Sequence, residues 1–238
     1  MKSAELFLDF FARIENHLKK VLGVHNHERF NELVIKVAEN NHLVRNYKEQ
    51  LLSLGNLRNA IVHETRKDFK VIADPREDML ELIQEIYIKI TRPKFVLDFF
   101  NVNVYSTTPN SDLAIVLEQM VTNDFSQAPI LEDGKIIGLL NKESIANWMG
   151  RNVADGEPDF LLSDTKVKTL ISSGLPKGNY KIIPRTINLV EARDLFLEKL
   201  GSIVPLEVLL ITQHGKPNES LLGIITRNED LGVIIKNI

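Results

Sequence analysis

Two short stretches of this chain hold side chains whose types and spacing could do chemistry. The first is GIITRNED, Gly223 to Asp230. Thr226 stands where a β-branched run gives way to a helical segment, so its hydroxyl and nearby backbone N–H groups could receive a phosphate or ribose oxygen. Glu229 follows three residues on, one helical turn away on the same side, where a carboxylate can accept hydrogen bonds from both ribose hydroxyls. Asp230 offers a second acid beside it, and Ile225 precedes the pair on the strand. The same letters also fit a capping box, in which Thr226 caps the helix and Glu229 returns a bond. A hydroxyl can serve both purposes.

The second stretch is LRNAIVHE, Leu57 to Glu64, which sets Arg58, Asn59 and His63 inside an apolar helical phrase. A histidine titrates near neutral pH and can move a proton, and an arginine can steady a developing phosphorane. Five residues separate Arg58 from His63, about 140° around a helix, so one helix cannot aim both at one spot. Asn59 and His63, four apart, do share a face. A shared site is more natural where two such helices meet across a dimer axis. His25 and His27 lie two apart with no third ligand in view, which reads as a solvated turn and predicts no metal site.

The elements that must position these groups fall into two textures. Up to about Ile90 the apolar residues recur at helical spacing. Leu6, Phe10, Ile14, Leu18 and Leu22 predict a helix ending near Gly23, and Phe30, Leu33, Val34 and Val37 predict a second. Leu43, Tyr47, Leu51, Leu54, Leu57 and Ile61 predict a third helix running through His63, with Gly55 inside it. Asp74 before Pro75 is placed to cap a fourth, carrying Met79, Leu80, Ile83, Ile86 and Ile90. Four amphipathic helices with short links make a four-helix bundle.

After Thr91-Arg92-Pro93 the chain changes to short β-branched runs between turn residues, and it repeats itself. The first copy reads strand, helix, strand (Ala128 to Leu131), hairpin at Asp133-Gly134, strand (Ile136 to Leu140) and helix. The second runs through the same order with a longer hairpin around His214 to Ser220, and GLLNKES at Gly138 matches GIITRNE at Gly223. Asn141 and Ser144 occupy the places of Thr226 and Glu229 in the first copy and supply no carboxylate. One good site per chain is therefore expected. Lys181, Ile182 and Ile183, on the first strand of the second copy, are expected near that site, the isoleucine pair flanking a base and the lysine toward phosphate. Arg151 to Phe160 reads as an exposed connection between copies.

At 238 residues and 44% hydrophobic composition the chain can bury substantial cores, and two domains are expected. There is no cysteine, which fits a reducing compartment, with cytoplasm as the default. MKSAELFLDFF is interrupted by Lys2, Glu5 and Asp9, which argues against a signal sequence, and no apolar run reaches the roughly 18 residues of a membrane helix. The formal net charge of −3 gives no overall field toward nucleic acid or anionic lipid, so any RNA contact must be local.

The repeat, with its APIL and VLLI strands and GIIT-x-x-E closure, resembles the tandem CBS (cystathionine β-synthase) pair, or Bateman module. That resemblance implies a regulatory module that binds adenosine-containing ligands (AMP, ADP, ATP or S-adenosylmethionine) in clefts between repeats, commonly as a dimer. Its acidic position is more often Asp, so Glu229 is a departure, with Asp230 as a fallback. The first part resembles HEPN domains, whose mark is the Arg-polar-x-x-x-His phrase matched by Arg58 to His63. In active members that implies metal-independent RNA cleavage at a dimer interface, with Asn59 orienting the imidazole. The expected architecture is an α+β multidomain chain: a HEPN-like helical bundle over 1–92, then CBS repeats over 93–160 and 161–238. The function expected is a nucleotide sensor controlling the helical domain, with a regulated ribonuclease or a non-catalytic dimerising protein as alternatives.

Overall fold

In α1 (Ser3–Leu22), Phe7, Phe11, Ile14 and Leu18 recur at intervals of four and three, which places them on one buried face. The computed structural model describes residues 3–24, 28–63, 74–100, 103–154 and 162–238, with the side chains of residues 63, 154 and 163 also outside the description. His25, His27, residues 155–160 of the expected connection and the His63 side chain therefore lie outside the described residues. The chain forms two compact units, Met1–Lys94 with Leu189–Glu191 and Ile238, and Phe95–Asn188 with Ala192–Asn237.

In the first unit α1 packs on α2 (Phe30–Asn40), α4 (Lys48–His63) and α5 (Glu77–Thr91). Leu33, Leu51, Leu54, Ile61, Ile83 and Ile86 close the core with the α1 face, each worth about 1.5–3 kcal/mol of burial. Two expectations change. The third helix is divided into α3 (His42–Asn46), whose start Asn41 caps by accepting from Val44 N–H at 3.0 Å, and α4, and the chain leaves helical geometry between them at Tyr47 (φ −105°, ψ 13°). Arg45 ties α3 back to α2 through the carbonyls of Ala38 and Glu39. Asp74 does not cap the fourth helix. Its Oδ1 accepts from Ala4 N–H at 3.2 Å, and α5 begins only after Arg76. Gly55, inside α4, has a packing reason: a Cβ there would stand 2.7 Å from Asn31 Oδ1 and 3.0 Å from Phe30. Its absence lets α2 approach.

The second unit contains α6 (Leu97–Phe100), α7 (Leu113–Thr122), β1 (Gln127–Glu132), β2 (Lys135–Asn141) and α8 (Lys142–Ala154). A single turn at Leu162–Asp164 precedes α9 (Val167–Ser172), β3 (Tyr180–Pro184), α10 (Leu189–Glu198), β4 (Val208–Thr212), β5 (Gly223–Thr226) and α11 (Arg227–Asn237). β1 and β2 pair antiparallel, whereas β3, β4 and β5 form a sheet in that order, parallel then antiparallel. Gly138 faces Ile130 as Gly223 faces Ile211, so the two copies superpose in register.

The strand expected at the start of the first copy shrinks to one parallel bridge, Thr107 to Ile130. Thr107 N–H donates to Pro129 O at 2.9 Å and its carbonyl accepts from Leu131 N–H at 2.8 Å. The next bond would need an N–H at position 129, which proline lacks. The segments leading into the copies are exchanged. Phe95 bridges Asn188, with Val96 N–H on Ile187 O at 3.0 Å, while Lys166 bridges Asp112, with Val167 N–H on Ser111 O at 3.0 Å.

The β4–β5 loop is pinned by Glu219. Burial pushes its carboxyl up, but bonds from His214 N–H at 2.7 Å, the His214 ring, the Thr212 hydroxyl at 3.0 Å and Lys216 N–H overcome this. The net result holds it well below its ordinary 4.5, at about 2. A depressed carboxylate stabilises the fold above its unfolded pKa and loses that contribution as pH falls through the folded one. Glu219→Gln is therefore expected to melt below the wild type at neutral pH, with the gap closing between pH 4.5 and 2, as thermal scans across that range will show.

Candidate ligand cleft

Period-two alternation decides what β5 presents to each side. Ile225 is buried in the core, while Ile224 and Thr226 line a cleft of about 430 Å³. That volume suits a nucleoside-sized ligand. Phe99, Phe100, Tyr105, Phe125, Ser126 and Gln127 form the facing walls, and Glu229, Asp230 and Val233 of α11 complete it. Tyr105 and Phe125 lie with ring centroids 5.0 Å apart, tilted by 35°. Burial pushes the Tyr105 hydroxyl pKa up, so it stays protonated and able to donate.

The start of α11 departs from the capping box. Asp230 Oδ2, not Glu229, takes Thr226 N–H at 2.6 Å and the Thr226 hydroxyl at 3.0 Å. The acid one residue later, with its shorter side chain, closes the turn, and Glu229 stays exposed on the cleft. Arg227 N–H is also taken, by the carbonyl of Glu207 at 2.8 Å. The N–H groups of Thr226 and Arg227, expected to greet a phosphate, are thus already bonded.

Lys181 and Ile183 are not brought to this cleft. Register aligns Lys181 with Leu209 and Ile225, and Ile183 with Ile211 and Gly223, so both belong to the sheet face opposite Thr226. Ile183 is buried, and Lys181 lines a separate groove with Gly138, Leu175 and Tyr180. Sequence reasoning missed Tyr105, Phe125, Ser126 and Gln127. They belong to the copy that does not carry Thr226, and the repeat equates only Ser126 with Glu207, whose carbonyls accept from Lys142 N–H and Arg227 N–H.

The counterpart place in the first copy is filled. Asn141 and Ser144 cap α8 reciprocally, Asn141 N–H to Ser144 Oγ at 3.1 Å and Ser144 N–H to Asn141 Oδ1 at 2.7 Å. Asn141 Nδ2 also donates to Glu207 Oε2 at 2.9 Å, with Asn179 Nδ2 on the same oxygen at 3.4 Å. Trp148 is buried there, and the space beside Ser144 and Trp148 is about 20 Å³. That is too small for any nucleoside.

In the helical unit, Arg58 and Asn59 line a cleft of about 630 Å³ with Phe11, Arg29 and three carboxylates, of which Glu15 is paired with Lys19 and Glu28 with Lys36, while Glu32 is the third. The Arg58 guanidinium stands 5.8 Å from the centre of the Phe11 ring. Its Nη1 donates to Asn59 Oδ1 at 3.3 Å, so this oxygen of Asn59 serves the arginine. His63 ends α4. Among the described residues, no three His, Cys, Asp or Glu side chains gather to hold a metal ion, and no helix is long and apolar enough to cross a membrane.

A search among curated proteins finds no match to the chain. Among solved structures, CBSX2 of Arabidopsis thaliana in complex with AMP is similar at 18% identity, covering 60% of this chain and 97% of its own, with a TM-score of 0.43. The CBS domain pair of MJ0100, in complex with 5′-methylthioadenosine and S-adenosylmethionine, is similar at 11% identity over 60% of this chain and 97% of its own, with a TM-score of 0.44. The CBS domain of a membrane protein from Sphaerobacter thermophilus is similar at 13% identity over 66% and 96%, with a TM-score of 0.45. The family model described as CBS domain matches residues 96–151, from the segment before α6 into α8. This chain therefore carries a CBS domain over residues 96–151.

Proposed function

We propose that the chain is a regulatory sensor: an adenosine-containing ligand enters the cleft of Thr226, Glu229 and Asp230, and occupancy controls the helical domain within a homodimer. The observation that carries this reading is one cleft of nucleoside size in which a hydroxyl and two carboxylates stand among aromatic walls. Ribose hydroxyls suit the carboxylates, and a purine suits the rings. The AMP complex of CBSX2 and the 5′-methylthioadenosine and S-adenosylmethionine complex of the MJ0100 pair agree with that ligand class. Control requires the ligand to bind one arrangement of the helical domain better than another.

Isothermal titration of the ligand-free chain with adenosine compounds is expected to show one ligand per chain. Glu229→Ala should weaken it about tenfold, the worth of one charge-assisted hydrogen bond. Its melting temperature should scarcely move, because Asp230 rather than Glu229 holds the turn. Absence of heat with every adenosine compound would remove the proposal.

The HEPN-type ribonuclease reading, through Arg58, Asn59 and His63, has less behind it. The Asn59 oxygen that would orient the His63 imidazole accepts instead from Arg58 Nη1 at 3.3 Å.

A further inference from the structure

The charged side chains among the described residues lining the cleft are of one sign. Its described lining contains two carboxylates, Glu229 and Asp230, and no lysine, arginine or histidine. Phosphate sites in proteins use such cations, or the free N–H groups of a helix start. Here the Thr226 N–H is held by Asp230 and the Arg227 N–H by the Glu207 carbonyl. Lys181, the cation expected to reach phosphate, belongs to the other sheet face. A phosphoryl group entering this cleft would meet two carboxylates with no cationic side chain among its described lining to offset them.

We infer that the cleft selects nucleosides without phosphate, whose 5′ arm is neutral or positively charged, such as a thioether or sulfonium, over AMP, ADP and ATP. This rests on the reading of the cleft as an adenosine site and narrows it. Ser126, Gln127 and the Tyr105 hydroxyl supply neutral hydrogen-bonding partners. The rings of Tyr105 and Phe125 supply the apolar surface that a thioether or sulfonium arm favours.

The test is isothermal titration of the full chain, without divalent cations, against adenosine, 5′-methylthioadenosine, S-adenosylmethionine, AMP, ADP and ATP. The three phosphate-free compounds should bind at least about tenfold tighter than AMP, with ADP and ATP weaker still. The gap should shrink as salt is raised, because Glu229 is exposed to screening. Glu229→Lys should reverse the order, raising AMP affinity against 5′-methylthioadenosine, and circular dichroism will verify its fold. ATP or ADP binding as tightly as 5′-methylthioadenosine would overturn the selectivity and leave the adenosine site standing. Failure of all six would overturn both.

Discussion

Gly223→Ala should cost the protein about 3 kcal/mol and lower its melting temperature by roughly 6–12 °C. A methyl group there would stand 2.0 Å from the Phe100 carbonyl oxygen, 3.1 Å from its carbon and 3.2 Å from Ile211 Cδ1. The nearest of these atoms are backbone, so relief means moving α6 away from β5 rather than turning a side chain. Phe100 is also a wall of the ligand cleft, so the displacement should reach ligand affinity. Gly138→Ala is the internal control. At that equivalent place the nearest atoms are the Cδ1 of Ile130 at 3.4 Å and of Leu175 at 3.7 Å, ordinary contacts with side chains that can adjust. Its cost should stay below about 1 kcal/mol. Equal losses from both variants in thermal and denaturant melts would show that the approach of α6 to β5 is not what demands the glycine.

Asp230→Ala should weaken ligand binding about a hundredfold and destabilise the fold by about 1–2 kcal/mol. One oxygen of Asp230 holds both the N–H and the hydroxyl of Thr226, so the truncation removes a ligand-facing acid and frees the turn that aims Thr226. Asp230→Asn separates the two effects: its amide oxygen can still accept from Thr226, but the charge is gone. It should recover most of the stability and only part of the affinity. Titration calorimetry and chemical denaturation on the same preparations will read both. Asp230→Ala with unchanged affinity would move the binding role to Glu229 alone.

Much of this molecule is legible in its letters, and the failures share a cause. The amphipathic spacing of Phe7, Ile14 and Leu18 needs no partner to be read, because a helix makes its own hydrogen bonds. The match of GLLNKES to GIITRNE likewise places β2 with α8 and β5 with α11. What the letters hide is set between segments distant in sequence. Asp74 is drawn to Ala4, seventy residues away. The face on which Lys181 falls depends on β3 pairing with β4, and a period of two makes a one-residue difference decisive. Glu207, which fills the place beside Asn141, carries no local signature of that role.

The exchange of leading segments has a consequence for how this part of the chain can be built. Val96 completes backbone bonding in the second copy, and Val167 does so in the first. A protein cut between the copies would yield two halves, each lacking a piece that the other owns, and each leaving backbone groups of a helix start unmatched. Neither half should hold its shape in isolation, and mixing should restore both together. Because the cleft draws Tyr105 and Phe125 from one half and Thr226 and Asp230 from the other, a molecule bound there acts as glue. The severed protein becomes a reporter in which reassembly measures occupancy.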